Sequence, residues 1–290
     1  MDRQTLKAAA LLVCGLAWAG CNGGAREPVR LDLSGVEPTA DVSDLAAVLD
    51  EAVDAAGRVV PQRLAKVSAR LDAQLRRMAL AGPTSRPELF PTYGDRWAFW
   101  YNARAGWSIK LAELAGFPRR VPPAAMRARQ FDLDGRKLSL EGIDEILLAE
   151  ARRTGDFRLA ACAPGVTVDC ASLPKTPCAA ADFAARMDEA LSRLVLDERR
   201  FVLAVDERQV RVPPMLWDCR DLVAREYRRR TGSGDASFTT ALSVHLSRLA
   251  RRRLAQGIGY VAVGAALRGE LVLPGRKVFM PGKVGRVELP

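Results

Sequence analysis

Apolar residues recur at helical spacing through the first half of the chain. Leu45, Val48, Leu49, Ala52 and Val53 form a stripe behind Ser43, a residue with helix-capping chemistry, and Gly57 ends it. Leu64, Val67, Leu71, Leu75 and Met78 form a second stripe, stopped by Gly82-Pro83. After a Pro-rich loop a third helix is predicted over 95–115, with Trp100, Ala103, Trp107, Leu111 and Leu114 on one face. The spacing predicts that Trp100, Trp107 and Leu111 pack against the first two helices.

The pattern then changes. Residues 131–140 (FDLDGRKLSL) alternate around Asp134-Gly135, which predicts a hairpin. A helix over 140–153 uses Ile143, Ile146 and Leu147, and FRLAAC (157–162) reads as a short strand. Another helix, 180–196, buries Phe183, Met187, Leu191 and Leu194. FVLAV (201–205) and QVRV (209–212) form a second hairpin, two helices follow over 214–231 and 236–255, and the tail 257–273 is strand-like. Helices and hairpins without regular βαβ alternation predict an α+β class: one helix-rich domain with small antiparallel hairpins, spanning 41–290.

The N-terminus has a different character. Arg3 and Lys7 precede an uncharged, mostly apolar run over 8–20, which leads through Ala19-Gly20 to Cys21. That run is shorter than the roughly 20 residues a bilayer-spanning helix needs, and it has the flanks of an export signal. It resembles the bacterial lipobox, departing at Trp18. The resemblance implies a signal over 1–20 and lipidation of Cys21. The Gly- and Pro-bearing segment 21–40 then serves as a tether. The lipid bilayer is the expected partner, and the cell envelope, facing the periplasm, the expected location. Asn22 after the Cys points to the outer rather than the inner membrane.

Composition adds two constraints. The apolar fraction of 49% is ample for a core, and the net charge of +10 would draw an anionic partner. Outside the cytoplasm that partner is an anionic lipid head group or an acidic glycan rather than nucleic acid, the other reading being that the Arg excess only reflects genome composition. Arg225, Arg228, Arg229 and Arg230, then Arg248 and Arg251 to Arg253, are two basic runs that read either as solvated helix surface or as a docking face. With one His and no CxxC pair, neither a metal site nor a cofactor is expected. The lone His245 falls on the apolar spacing Phe238, Leu242, His245, Leu249, the pattern of a satisfied core residue.

Four motifs in order resemble the domain-of-unknown-function 547 family. They are AFWYNARAG (98–106), KLSLEGIDEILL (137–148), LAACAPGVTVDCASL (159–173) and PPMLWDC (213–219). The apolar framework is kept while polar positions depart: Arg104 stands where the family has Tyr, Ala161 where it has Asn, and Phe157 where it has His. The resemblance carries no established activity. The expected function is therefore binding or structural. The alternative is a cysteine-dependent hydrolase of peptide or amide bonds, with Cys162 or Cys170 as nucleophile, His245 as the base and Glu145 or Asp169 to orient it. Asn102, retained from the family signature, is a candidate binding residue. The even number of Cys after Cys21 permits disulfides in an oxidising compartment, and Cys162–Cys170 with Cys178–Cys219 is one of three possible pairings.

Overall fold

A computed structural model describes residues 27–122, 126–232, 234, 236–257, 260–265 and 268–274. Cys21 and the signal lie outside these residues. Three helices make the first layer: α1 (Ser43–Ala52), α2 (Pro61–Leu80) and α3 (Tyr93–Leu114). Thr92 starts α3 with a reciprocal cap, its Oγ1 accepting from Asp95 N at 3.1 Å while the Asp95 carboxylate accepts from Thr92 N at 3.0 Å.

Every residue of α3 from Trp97 to Ala112 is buried. The helix is thus enclosed on all sides, not on the single stripe its spacing predicts. Gly106 allows this on one side, since a Cβ there would meet Leu75 at 3.2 Å. On another side Trp107 stacks on Phe131 with ring centroids 3.9 Å apart. Trp100, Trp107 and Leu111 are all buried, as their spacing predicts, and the hairpin supplies a neighbour to Trp107 that the spacing does not show.

Phe131 belongs to the predicted hairpin, β1 (Phe131–Leu133) and β2 (Arg136–Leu138). Asp134 and Gly135 both take positive φ, 54° and 70°, as a tight turn between right-twisting strands requires. The Asp134 carboxylate also accepts from Thr84 N and Ser85 N at 3.0 and 2.8 Å, pinning the loop after α2. Val29 N donates to Gln130 O at 2.8 Å and bridges to Phe131. The expected tether therefore already lies on the domain by residue 29.

The next helix, α4 (Leu140–Thr154), ends at Gly155 with φ 81°. The segment expected as a strand is a helical turn, α5 (Arg158–Ala161). Asp156 accepts from Arg158 N at 3.1 Å, and Leu159, Ala160 and Ala161 are all buried. A short apolar run buried on every side carries no period to distinguish the two forms, and Ala favours the helix.

Helix α6 (Phe183–Leu196) is followed by β3 (Val202–Ala204) and β4 (Gln209–Val212), the second predicted hairpin. The tail adds β5 (Val261–Gly264) parallel to β4, giving the order β3-β4-β5. Between β4 and β5 each expected helix is two. The first breaks at Cys219 into α7 (Pro214–Asp218) and α8 (Arg220–Thr231). The second breaks over 244–247 into α9 (Phe238–Ser243) and α10 (Arg248–Ala255), with Ser247 Oγ accepting from Ala250 N to start α10. Among the described residues 52% are helical, with sheets of two and three strands, as an α+β class requires.

Candidate functional site

The loop after α5, residues 162–173, carries two of the cysteines and is held by two buried arginines. Arg104 comes from α3. Its Nε donates to Asp144 Oδ1 at 2.5 Å and its Nη2 to Asp144 Oδ2 at 3.2 Å, and Nη1 donates to Pro164 O. Arg200 enters from the turn before β3, is 1% exposed, and donates to Thr167 O at 2.7 Å and to Cys170 O. Asp169 completes the clamp by accepting from Arg268 N at 3.0 Å and Gly269 N at 2.7 Å. Side chains and backbone from elsewhere in the chain thus fix one short segment.

Burial alone would make the Arg104 guanidinium easier to deprotonate. The Asp144 carboxylate more than offsets this, and Arg104 is held well above the ordinary arginine range. Arg200, also fully enclosed, is shifted downward by burial despite Asp197 at 3.0 Å. Arg127 adds a second cation to Asp144, Nη2 to Oδ2 at 3.3 Å.

Cys170 faces this cluster. Its Sγ lies 3.4 Å from Arg104 Nη2 and 3.5 Å from Thr167 Oγ1, at the wall of a cavity of about 30 Å³ that Arg127, Asp144 and Asp169 also line. A space of that size holds about one water. A protonated guanidinium beside a thiol cannot accept its proton. The two carboxylates at the cavity are already engaged, Asp144 by two arginines and Asp169 by two backbone N–H groups.

Among the described residues the four cysteines, Cys162, Cys170, Cys178 and Cys219, are free. The expected pairings are not formed, and the side-chain directions give the reason. Residues 163–171 do fold back, with Ala171 N donating to Ala163 O at 3.1 Å. The Cys162 thiol, however, turns into the core toward Met187 O at 3.5 Å, while Cys170 turns to Arg104. Cys178 lies where Asn102 grips its backbone, and Cys219 sits at the α7–α8 break. Burial pushes the Cys162 thiol far above the usual thiol range and the Cys178 and Cys219 thiols up to about 12.

The other sequence candidates are scattered. Asn102 is buried, its Nδ2 donating to Cys178 O at 2.9 Å and its Oδ1 accepting from Cys178 N at 2.8 Å. Its amide is spent as a strand-like clasp on a neighbouring loop. Glu145 is exposed, one helical step round from the buried Asp144. His245 lies in the α9–α10 break rather than on a continuous helix face, and Leu249 of the expected stripe is 62% exposed. His245 is buried edge-on against Phe157 with centroids 4.8 Å apart, and its Nε2 has no partner. It lines a different cavity from either Cys162 or Cys170.

Arg104 and Asp144 escape the motif reading, which registers position 104 only as a lost Tyr. The available signal is a charge inside the apolar run 97–112, since an enclosed charge requires a partner. No group of His, Cys, Asp and Glu among the described residues could hold a metal ion. Comparison with protein-family models, curated proteins and solved structures finds no match.

Proposed function

We propose that this chain is an exported lipoprotein, anchored in the cell envelope through Cys21, whose single domain resembles the domain-of-unknown-function 547 family and acts by binding rather than catalysis. The observation that carries the non-catalytic reading is the setting of Cys170. The groups around its Sγ are a permanently protonated guanidinium, a hydroxyl and carboxylates already engaged, and the chain's sole imidazole lines another cavity. A nucleophilic thiol needs a base to take its proton and later return it to a leaving group. What surrounds Cys170 suits a rigid loop instead.

Anchoring is supported by the Ala19-Gly20-Cys21 sequence after an apolar run. Residues 22–28 link Cys21 to the hydrogen-bonded Val29, and a fully extended link of that length reaches no more than about 25 Å. The domain would therefore sit close against the bilayer.

Two measurements test the reading. The mass of the mature N-terminus should show a chain starting at an acylated Cys21, and Cys21→Ser should abolish partitioning into detergent. Cys170→Ala should leave turnover of peptide and amide substrates at the background rate of wild type. A Cys170-dependent turnover would establish the alternative, a cysteine-dependent hydrolase, for which the guanidinium beside the thiol is the favouring observation.

A further inference from the structure

The largest cavity described lies away from Cys170, between the C-terminal end of α4, helix α8 and the α9–α10 break. It measures about 410 Å³. Phe157 and Leu222 form its apolar wall, and four arginines, Arg158, Arg225, Arg229 and Arg230, line it against two carboxylates, Asp156 and Glu226.

The arginines are not equally committed. Arg158 is saturated: Asp156 accepts from its Nε and Nη2 at 2.8 and 2.7 Å, and Asp188 of α6 accepts from Nη1 at 2.6 Å. Glu226 is shared, accepting from Arg229 Nε and Nη2 at 2.8 and 2.7 Å and from Arg230 Nε at 2.8 Å. One carboxylate between two guanidinium groups leaves a full positive charge. Arg225 makes no ion pair among the described residues, and its Nε reaches only Asp221 O at 3.4 Å.

His245 gives an independent indication. It is 8% exposed, it lines this cavity, and its buried Nε2 lacks a hydrogen-bond partner. The ring therefore stands in the wall of the cavity, within electrostatic reach of a charge held there.

We propose that this cavity binds a phosphate-type oxyanion, with Arg225, Arg229 and Arg230 as cationic contacts and the His245 ring in its wall. Guanidinium groups suit such an anion because their planar N–H forks match its oxygens. The volume exceeds what one phosphate fills, and the apolar wall suits the carbon part of an ester. Free phosphate esters and lipid head groups share this chemistry. The proposal names a ligand class for the binding reading above but does not require the Cys21 anchor.

His245 is the chain's only imidazole, so its resonances report on the site without assignment ambiguity. In the empty cavity burial, then Arg230 and Arg158, hold its pKa down at about 4. A bound anion opposes both arginines and should raise the midpoint by roughly one pH unit, about tenfold in proton affinity. The test uses the full chain in uncharged detergent, titrated with sodium phosphate against sodium chloride at matched ionic strength. In a second arm the same chain is placed in phosphatidylcholine bilayers with or without phosphatidylglycerol.

Movement of the imidazole signals with millimolar phosphate, weakened about tenfold in Arg225→Ala and unchanged in the exposed control Arg63→Ala, supports a free phosphate ligand. Movement only with phosphatidylglycerol, and again lost in Arg225→Ala, supports a lipid head group. Arg230→Ala provides a second variant on the same wall. Signals unmoved by both ligands, or moved equally in wild type and Arg225→Ala, would overturn the proposal. Loss of the anchor in Cys21→Ser leaves the free-phosphate arm intact, so the two readings fail separately.

Discussion

The molecule uses arginine in two opposite ways. Around residues 162–173, Arg104 and Arg200 are almost completely enclosed, and each is tied to a carboxylate and to backbone carbonyls. Around the His245 cavity, Arg225, Arg229 and Arg230 are exposed and outnumber the carboxylate that serves them. The difference is one of dielectric. An enclosed cation must have its partner within the fold, because desolvation is too costly otherwise. A half-solvated one can keep its charge for something outside.

The largest expected effect breaks the enclosed cluster. Asp144→Ala strands Arg104 inside α3 and should cost about 3–5 kcal/mol, read by chemical denaturation. Glu226→Ala, the parallel change at the open cavity, should cost no more than about 1 kcal/mol. Equal losses would show that the two clusters do not differ as described.

Next in size is the enclosure itself. Trp107→Ala removes the stack on Phe131 from a fully buried site and should cost about 3–5 kcal/mol, with a clear drop in Tm. A near-unchanged Tm would mean that α3 is not closed on that side.

Thiol reactivity sharpens the contrast further. Cys170 is partly exposed while Cys162, Cys178 and Cys219 are buried with raised pKa values. Alkylation of the native protein at neutral pH should label Cys170 first, with the other three reacting only on unfolding. Peptide mapping by mass spectrometry decides it, and rapid labelling at Cys162 would contradict the burial described.

The smallest effect is a pH slope. The pKa of His245 is depressed from the ordinary 6.5 to about 4, so between those values the unfolded chain binds the extra proton. Its contribution to stability is present above pH 6.5 and is lost as pH falls toward 4. The urea midpoint of wild type should therefore decline through that window more steeply than that of His245→Gln.

Much of the architecture is legible in the sequence, for identifiable reasons. The Asp134-Gly135 turn announces its hairpin because few other residues tolerate positive φ there. Helix α3 is legible from its apolar spacing, but from 95 rather than from Tyr93, because spacing alone does not register the Thr92–Asp95 cap. The failures have physical causes as well. Spacing cannot show that α3 is buried all round, because a stripe and its opposite face both read as apolar. A helix break without Gly or Pro, as at Cys219 and over 244–247, leaves no local mark. The candidate residues misled because motif resemblance drew attention to Glu145, and the need for a base to the chain's one imidazole, His245. The clamp is made instead by Arg104, Asp144 and Arg200, whose signal is charge at positions that packing encloses.

The Arg104–Asp144 pair has a consequence for how this sequence can change over time. Losing Asp144 alone leaves the Arg104 charge bare in the interior, and losing Arg104 alone leaves Asp144 with only the partly exposed Arg127 and releases Pro164 and the Cys170 thiol. Losing both together for apolar residues of similar volume can be nearly neutral. Single steps thus cross a deep valley while the double step does not. Positions 104 and 144 should drift as a linked couple, with the sequence of loop 163–171 following them, whereas the arginines around the open cavity remain free to vary one at a time.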